Sequence, residues 1–401
     1  MKIMFLCNIS LRLNGPSVHL LEDIITQCIR DGNSVVIAMK DTGEATRAID
    51  EYILKSQNVE IIKVPFQNAG KSDLVGRYIQ DAKYAYKIAK LYRQIENIDV
   101  VFLQSCNTSA FHIYFLNRYL KSIPIVYNVQ DMFPENTCAV GVLNEKSIKY
   151  KILQKIQEYS YKRATLIIAI SYDMQNSLKK YKEVENKLHV IHNWAYEKKN
   201  IEPKDDNFRK DYLGIKDSSY LVLYAGNIGV AQNVEMIINA ANQLKKFNNI
   251  VFTIVGNGAR REIIKRMIDQ FDLSNVYLLD SVSQEISSTL YESAEINIIP
   301  LKANMINYAF PSKTARCLMS NSIVITCFDK KSEVVKQLES KTDVVNVAPD
   351  NYNSLAQTIL KFYNKEQIYD YQKAFVFAKE NFDKDKNVKK YCHLIYKATK
   401  R

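Results

Sequence analysis

Short β-branched or apolar runs alternate with longer stretches at helical spacing along almost the whole chain, and that alternation admits few folds. Near-continuous apolar strands are covered on both faces, and a helix between successive strands makes the sheet parallel. The first half offers strands at Ile3–Cys7, Ser34–Ala38, Val59–Lys63, Val100–Gln104, Ile125–Asn128, Leu166–Ala169 and Leu188–Ile191, with helices such as Ser17–Arg30 and Tyr78–Arg93 between them. The pattern lapses in "YEKKNIEPKDDNFRKDYLGIKDSSY", a polar stretch with Pro203 and runs of charge, which places a boundary around residues 200 to 218. It restarts with Tyr220–Tyr224, Ile250–Val255, Val276–Leu279, Ile296–Ile299 and Ile323–Thr326. The expected fold is α/β: two doubly wound parallel-sheet, Rossmann-like domains facing a cleft. A chain of 401 residues suits two hydrophobic cores rather than one. Such sheets bind ligands beyond the carboxyl ends of their strands, so the loops that follow strands are the ones to read.

The loop after the first strand, "NISLRLNGPSVHLLEDI", carries Asn14-Gly15 in a turn and His19 at the start of a helix. After Tyr220–Tyr224 comes "AGNIGVAQN", where Gly226 and Gly229 let the backbone approach a ligand and leave N–H groups exposed. After Ile250–Val255 comes "GNGARRE", with Gly256 and Gly258 entering a helix that has Arg260 and Arg261 near its start. None of these is the GxxxxGK[ST] of a phosphate-binding P-loop, and no GxGxxG occurs, so ATPase and dinucleotide oxidoreductase readings lose their main support.

A further loop is "INYAFPSKTARCLMSNSIVIT", in which Lys313 stands directly behind Pro311 and Ser312 at the predicted first turn of a helix. Ser312 reads as the N-cap, and Cys317, Leu318 and Met319 as the buried side. A cation there opposes the helix dipole. Either the lysine is solvated, or a bound anion such as a diphosphate sits over the helix start, where backbone N–H groups and lysine converge on it.

Composition narrows the remaining classes. No stretch approaches the ~18 apolar residues of a membrane-spanning helix. The apolar run that opens the chain is too short for a signal peptide and reads as a buried strand. The seven cysteines are scattered and never spaced as CxxC, as in a reduced cytosolic protein. The nearest pair of histidines, His189 and His192, stands at a predicted strand and its end rather than on a helix face, and the prediction is no metal and no cofactor. A net charge of +12 points to nucleic acid, an anionic membrane surface or acidic small substrates. The charge gathers in "KYKILQKIQEYSYKR", a basic amphipathic helix with Lys149, Lys151 and Lys155, and in a second helix whose Lys83, Lys87 and Lys90 share a face. A solvated helix face and a membrane-facing one both fit this pattern.

Taken in order, "VQDMFPENTCAVGVL", "LHVIHNW", "YAGNIGVAQNVEMII", "FTIVGNGARREII", "NVYLLDSVSQEISSTLYESAEINIIPL" and "PSKTARCLMSNSIVIT" resemble glycosyltransferase family 4, of the GT-B fold, and within it the bacterial branch that builds capsule and O-antigen repeat units. The likeness runs in register along nearly the whole chain. It implies an acceptor-binding domain over residues 1–200, a nucleotide-sugar donor-binding domain over 201–375 and a final helix, 376–401, returning to the first domain.

The resemblance further implies a hexosyltransferase-type enzyme that moves a sugar from a nucleotide-diphosphate donor, UDP-sugar first among them, to a lipid-linked or polysaccharide acceptor. Retention of anomeric configuration and metal independence belong to the same expectation. So does a peripheral place on the inner face of the cell membrane. Lys313, Asp131 and Glu135 are the implied catalytic residues. Gly226, Asn227, Gly229, Gly256, Gly258, Arg261, Ser281, Val282, Pro311, Ser312 and Thr314 are the implied donor contacts, with Gly15 and His19 toward the acceptor. Tyr308 and Arg316 stand where many members carry paired glutamates, and Asn227 and Gln232 replace an arginine and a lysine. A GT-B-fold sugar-nucleotide epimerase and a basic nucleic-acid-binding module are the alternative readings.

Overall fold

The computed structural model describes the chain apart from residues 14–16, 68–73, 93, 107, 120–122, 196–207, 217, 283 and 401. The first sheet is built from β1 (Lys2–Cys7), β2 (Ser34–Asp41), β3 (Val59–Pro65), β4 (Val100–Gln104), β5 (Ile125–Val129), β6 (Leu166–Ala169) and β7 (Leu188–Val190). The second is built from β8 (Tyr220–Ala225), β9 (Ile250–Val255), β10 (Val276–Leu279), β11 (Ile296–Pro300), β12 (Ile323–Cys327) and β13 (Val345–Asn346). The strand orders are β3-β2-β1-β4-β5-β6-β7 and β10-β9-β8-β11-β12-β13, and neighbouring strands are parallel. Both sheets reverse direction of growth at their first strand, between β1 and β4 and between β8 and β11. Those two crevices are where a doubly wound sheet takes a ligand.

Strand composition explains the layering. Every residue of β4, β5, β6, β9, β11 and β12 is buried, as a strand covered on both faces requires. Helices fill the faces, several started by side-chain caps: Ser147 accepts from the Tyr150 N–H, Ser171 from Met174 and Ser332 from Val335. The expected strands are all present, most with ends shifted by a residue or two. The two-residue β13 was not expected, and the helix Leu74–Tyr92 starts earlier than its apolar spacing suggests. The boundary between residues 200 and 201 lies outside the described residues.

The last helix, Lys384–Ala398, packs on the first domain. Val388, Tyr391, Cys392, Leu394 and Ile395 share a core with Phe5, Phe102 and Ile168. Tyr391 donates to Asn128 Oδ1 at 3.1 Å, and Asn387 donates to the carbonyl of His192 at 3.1 Å.

The domains touch directly. Asp131 forms an antiparallel bridge with Ala309, and the Met132 N–H donates to the Tyr308 carbonyl at 2.8 Å. Asp173 of the first domain accepts from the Glu333 and Val334 N–H groups at 2.7 and 3.1 Å, capping a second-domain helix.

The basic helix Ile148–Arg163 departs from a simple core-and-solvent division. It buries Tyr150, Gln157, Ser160 and Tyr161, while Ile148 (77% exposed), Ile152 (53%) and Ile156 (38%) stand in water beside Lys149, Lys151 and Lys155. Among the described residues no helix is long and apolar enough to cross a membrane.

Candidate functional site

Four loops stand side by side because their strands do. In the order β10-β9-β8-β11 the strand ends lead into Asp280–Val282, Gly256–Gly258, Gly226–Gly229 and the segment running to the helix Lys313–Met319. Hydrogen bonds join neighbouring loops. The Gly226 N–H donates to the Val255 carbonyl and the Ile228 N–H to the Asn257 carbonyl, both at 2.9 Å; Asn257 Nδ2 donates to Ser281 Oγ at 3.1 Å.

This corrects part of the expectation for the glycine loop: the Gly226 and Ile228 amides are spent within the protein, and those of Asn227 and Gly229 carry no hydrogen bond among the described residues. Gly256 and Gly258 have an equally local reason. A Cβ on Gly256 would lie 1.9 Å from the Gly226 carbonyl oxygen, and one on Gly258 2.4 Å from that of Ile228. Both have φ near +150°, which side-chain-bearing residues rarely adopt. They are required by the close packing of the two loops.

Lys313 is not a solvated surface residue. Its stem is partly covered, and its Nζ lies out of solvent with no hydrogen-bond partner. The amine sits 3.6 Å from the centre of the Tyr224 ring, and a Cβ built on Gly226 would meet it at 2.8 Å. Burial pulls its pKa down to about 7, with Cys317 acting weakly the other way. Thr314 is fully buried and its hydroxyl is unpartnered too, so two orphaned polar groups stand at one helix start. An unsatisfied buried amine costs stability, which a bound anion would offset.

Ser312 does not cap this helix as expected. Its backbone is already helical, with φ −58° and ψ −25°, and its side chain makes no capping bond. The exposed Ser312 and half-buried Pro311 lead into the turn. Arg261 pairs with Asp280 at 2.9 Å, and Val282 packs against the core.

In the first domain the acidic loop divides. Asp131 keeps solvent-exposed area yet has protein around most of its carboxyl, and this desolvation pushes its pKa up to about 6. Glu135 points elsewhere. It is 5% exposed, begins the helix Glu135–Ala139 and accepts a hydrogen bond from the Tyr181 hydroxyl. Its second oxygen is buried without a partner, and burial raises its pKa. The geometry makes Glu135 an interior carboxyl of the first domain, a correction to its expected place facing an acceptor.

His19 is half-buried at the start of the helix Val18–Arg30. Burial lowers its pKa; Asp23 and a hydrogen bond with the Trp194 backbone oppose that, and Arg316 and Lys384 add to it. Arg316 of the second domain thus lies within electrostatic reach of His19. Gly15 lies outside the described residues. Among those residues no group of three His, Cys, Asp or Glu side chains could hold a metal ion. A recess of about 480 Å³ lined by His189, Lys386, Lys389, Lys390 and His393 shares no residue with this site.

Tyr224, whose ring meets the Lys313 amine, is the site contact that the sequence hid. At the end of an apolar strand it reads as core, and the only signal was a tyrosine placed just before a glycine loop.

The chain is similar to known glycosyltransferases in sequence and in fold. Residues 14–195 match Glycosyltransferase Family 4 and residues 219–365 match Glycosyl transferases group 1. "Probable glycosyltransferase WbjE" of Pseudomonas aeruginosa is 25% identical over 344 residues, spanning 84% of this chain and 83% of that protein. Among solved structures, Anabaena Alr3699/HepE in complex with UDP-glucose superposes with a TM-score of 0.71 at 16% identity, over 99% of this chain and 100% of that one. WaaG, a glycosyltransferase involved in lipopolysaccharide biosynthesis, gives 0.70 at 13% identity, over 98% and 99%.

Proposed function

The chain belongs to the GT-B glycosyltransferases, with Glycosyltransferase Family 4 in its first half and Glycosyl transferases group 1 in its second, and from that membership we propose a specific reaction for it. It transfers a hexose from a UDP-sugar to a lipid-linked or growing polysaccharide acceptor, with retention and without a metal. Residues 1–200 hold the acceptor, 201–375 the donor, and 376–401 close back on the first domain.

The observation that carries this reading is the unpartnered Lys313 amine at the β8/β11 crevice. Breaking a sugar–phosphate bond leaves negative charge on the diphosphate, and a group aimed at that charge stabilises the transition state more than the ground state. Lys313 stands beside Gly226 for this role, in a loop whose Asn227 amide carries no hydrogen bond among the described residues. The loops then run outward past Gly256–Gly258 to Ser281 and Val282, where the nucleoside would lie. The UDP-glucose bound by Anabaena HepE favours UDP as the nucleotide. Asp131, on the facing domain, would meet the acceptor. Retention by same-face displacement lets a donor phosphate oxygen take the acceptor proton, so no protein nucleophile is needed.

The exposed Ile148, Ile152 and Ile156 among lysines support a peripheral place on the cytoplasmic face of the membrane, where a lipid-linked acceptor is found. Nothing in the fold favours a nucleic-acid partner.

A thermal-shift panel of UDP-, GDP- and dTDP-sugars, run with and without EDTA, tests the reading. A ligand bound only by the native state raises its apparent stability. UDP-sugars should give the largest shift, unchanged by the chelator. A larger shift with another nucleotide, or one that needs added magnesium, would overturn the donor or the metal-free assignment. Isomerisation of the sugar nucleotide without acceptor would favour an epimerase instead.

A further inference from the structure

We infer that Tyr224 is the residue that positions Lys313 for the donor, holding the amine against its ring face and tying down the adjacent glycine loop through its hydroxyl. The inference rests on the reading of Lys313 as the diphosphate contact, and it concerns how that contact is made ready.

The geometry has two halves. On one side the Lys313 Nζ is 3.6 Å from the Tyr224 ring centre, well inside the range in which a cation is attracted by the ring quadrupole. On the other, the Tyr224 hydroxyl donates to the Asn227 carbonyl at 2.5 Å. Both meet at Gly226, where a Cβ would stand 2.8 Å from the lysine nitrogen and 3.8 Å from the tyrosine oxygen. One buried side chain therefore sets the amine and the loop relative to each other. The strand end beneath is fixed by Tyr291, whose hydroxyl donates to the Ala225 carbonyl at 3.0 Å.

Among the described residues no carboxylate pairs with the amine. Cys317, on the same helix, has its thiol pushed up to about 12 by burial and is neutral. Tyr224 on β8 and Tyr291 on the helix Gln284–Ser293 have their phenols raised by burial and are neutral as well. Glu235 acts on Tyr224 from the helix Glu235–Gln243 and is paired with Arg260 at 2.6 Å. Arg316, next to Cys317, repels a second cation. The ring face is what favours the charged amine, and without it the lysine loses its proton more readily. A donor diphosphate arriving at Gly226 meets an ammonium already aimed at it.

The test compares Tyr224→Leu, which removes the ring, with Tyr224→Phe, which keeps the ring and loses only the hydroxyl bond. The measured quantity is the dissociation constant for UDP by calorimetry, followed from about pH 5 to 9 so that the window spans the lysine titration in both proteins. Affinity should fall in the wild type as Lys313 loses its proton. In Tyr224→Leu that fall should begin about one pH unit lower, with UDP bound roughly three- to thirty-fold more weakly at neutral pH and recovering on acidification. In Tyr224→Phe the fall should stay at the wild-type pH. A residue that only fills space would weaken binding without moving the titration, so a folded Tyr224→Leu protein with an unmoved profile overturns the inference. If that variant does not fold, Tyr224→Met, of similar volume and without a ring, replaces it. Lys313→Ala, measured alongside, separates the two readings. UDP binding at the wild-type level in Lys313→Ala overturns the lysine assignment. Weakened binding there, with an unmoved Tyr224→Leu profile, overturns only the role of Tyr224.

Discussion

Asp131 is bridged to Ala309 across the two domains, and only Phe310, Pro311 and Ser312 separate Ala309 from Lys313. The acidic loop of the first domain and the lysine helix of the second are thus joined by one short stretch of backbone, which sets the two segments beside each other.

That relationship gives Asp131 a testable pH signature. Its carboxyl is pushed up to about 6 by its surroundings, and in its ionised form it can accept a hydrogen bond from an acceptor hydroxyl. The transfer rate should climb as pH rises through that value. Asp131→Asn should lower the rate by about ten- to a hundred-fold and flatten the climb. The folded chain also holds this proton more tightly than the unfolded chain. The contribution of Asp131 to stability therefore declines as pH rises from the unfolded carboxylate value to about 6, and the Asn variant escapes that decline. A rate profile identical in both proteins would remove Asp131 from the site.

The two glycine loops predict a large and local cost. A methyl group on Gly256 would overlap the Gly226 carbonyl at 1.9 Å with φ at +150°. Gly256→Ala should lose about 2–4 kcal/mol in urea unfolding and weaken nucleotide binding with it. Gly43 has φ +78° with nothing within 4 Å, so Gly43→Ala, which meets only the milder left-handed backbone cost, should lose about 1 kcal/mol. Equal losses at the two positions would show that the loops do not pack as described.

Most of the fold was legible because buried parallel strands are written as apolar runs, and β9, "IVFTIV", can hardly be read otherwise. The strand β13 was not, since Val345 and Asn346 are a two-residue edge strand, paired with β12, in a short stretch broken by the polar Asn346. The lysine was found through its awkward place at a helix start, although the reason changes: Ser312 caps nothing, and it is burial without a partner that marks Lys313. Glu135 could not be placed from "QDMFPE" alone, because whether the next side chain turns outward or inward depends on Tyr181, far along the chain. Tyr224 was hidden for the same reason, its partner Lys313 being supplied by another strand's loop.

The lysine-rich helix predicts two separable contributions to membrane binding. Lysines near an anionic surface contribute about 1 kcal/mol each and are screened by salt, whereas inserted isoleucines are not. Replacing Lys149, Lys151 and Lys155 by Gln should abolish the salt-sensitive part of co-sedimentation with phosphatidylglycerol vesicles. Replacing Ile148, Ile152 and Ile156 by Ser should lower the part that survives high salt. Equal recovery of the wild type on neutral and anionic vesicles would contradict a membrane-facing role for this helix.

The central claim is that the buried amine of Lys313 takes the negative charge that develops on the leaving diphosphate. Its most direct test is the steady-state kinetics of sugar transfer by Lys313→Ala, with melting followed on the same preparation. Removing a buried, unpartnered amine should leave the melting temperature unchanged or slightly higher. It should lower kcat on the order of ten- to a thousand-fold, and lower it more than the donor KM rises, because the contact strengthens as the sugar departs. A Lys313→Ala protein that melts normally and transfers sugar at the wild-type rate would contradict the account.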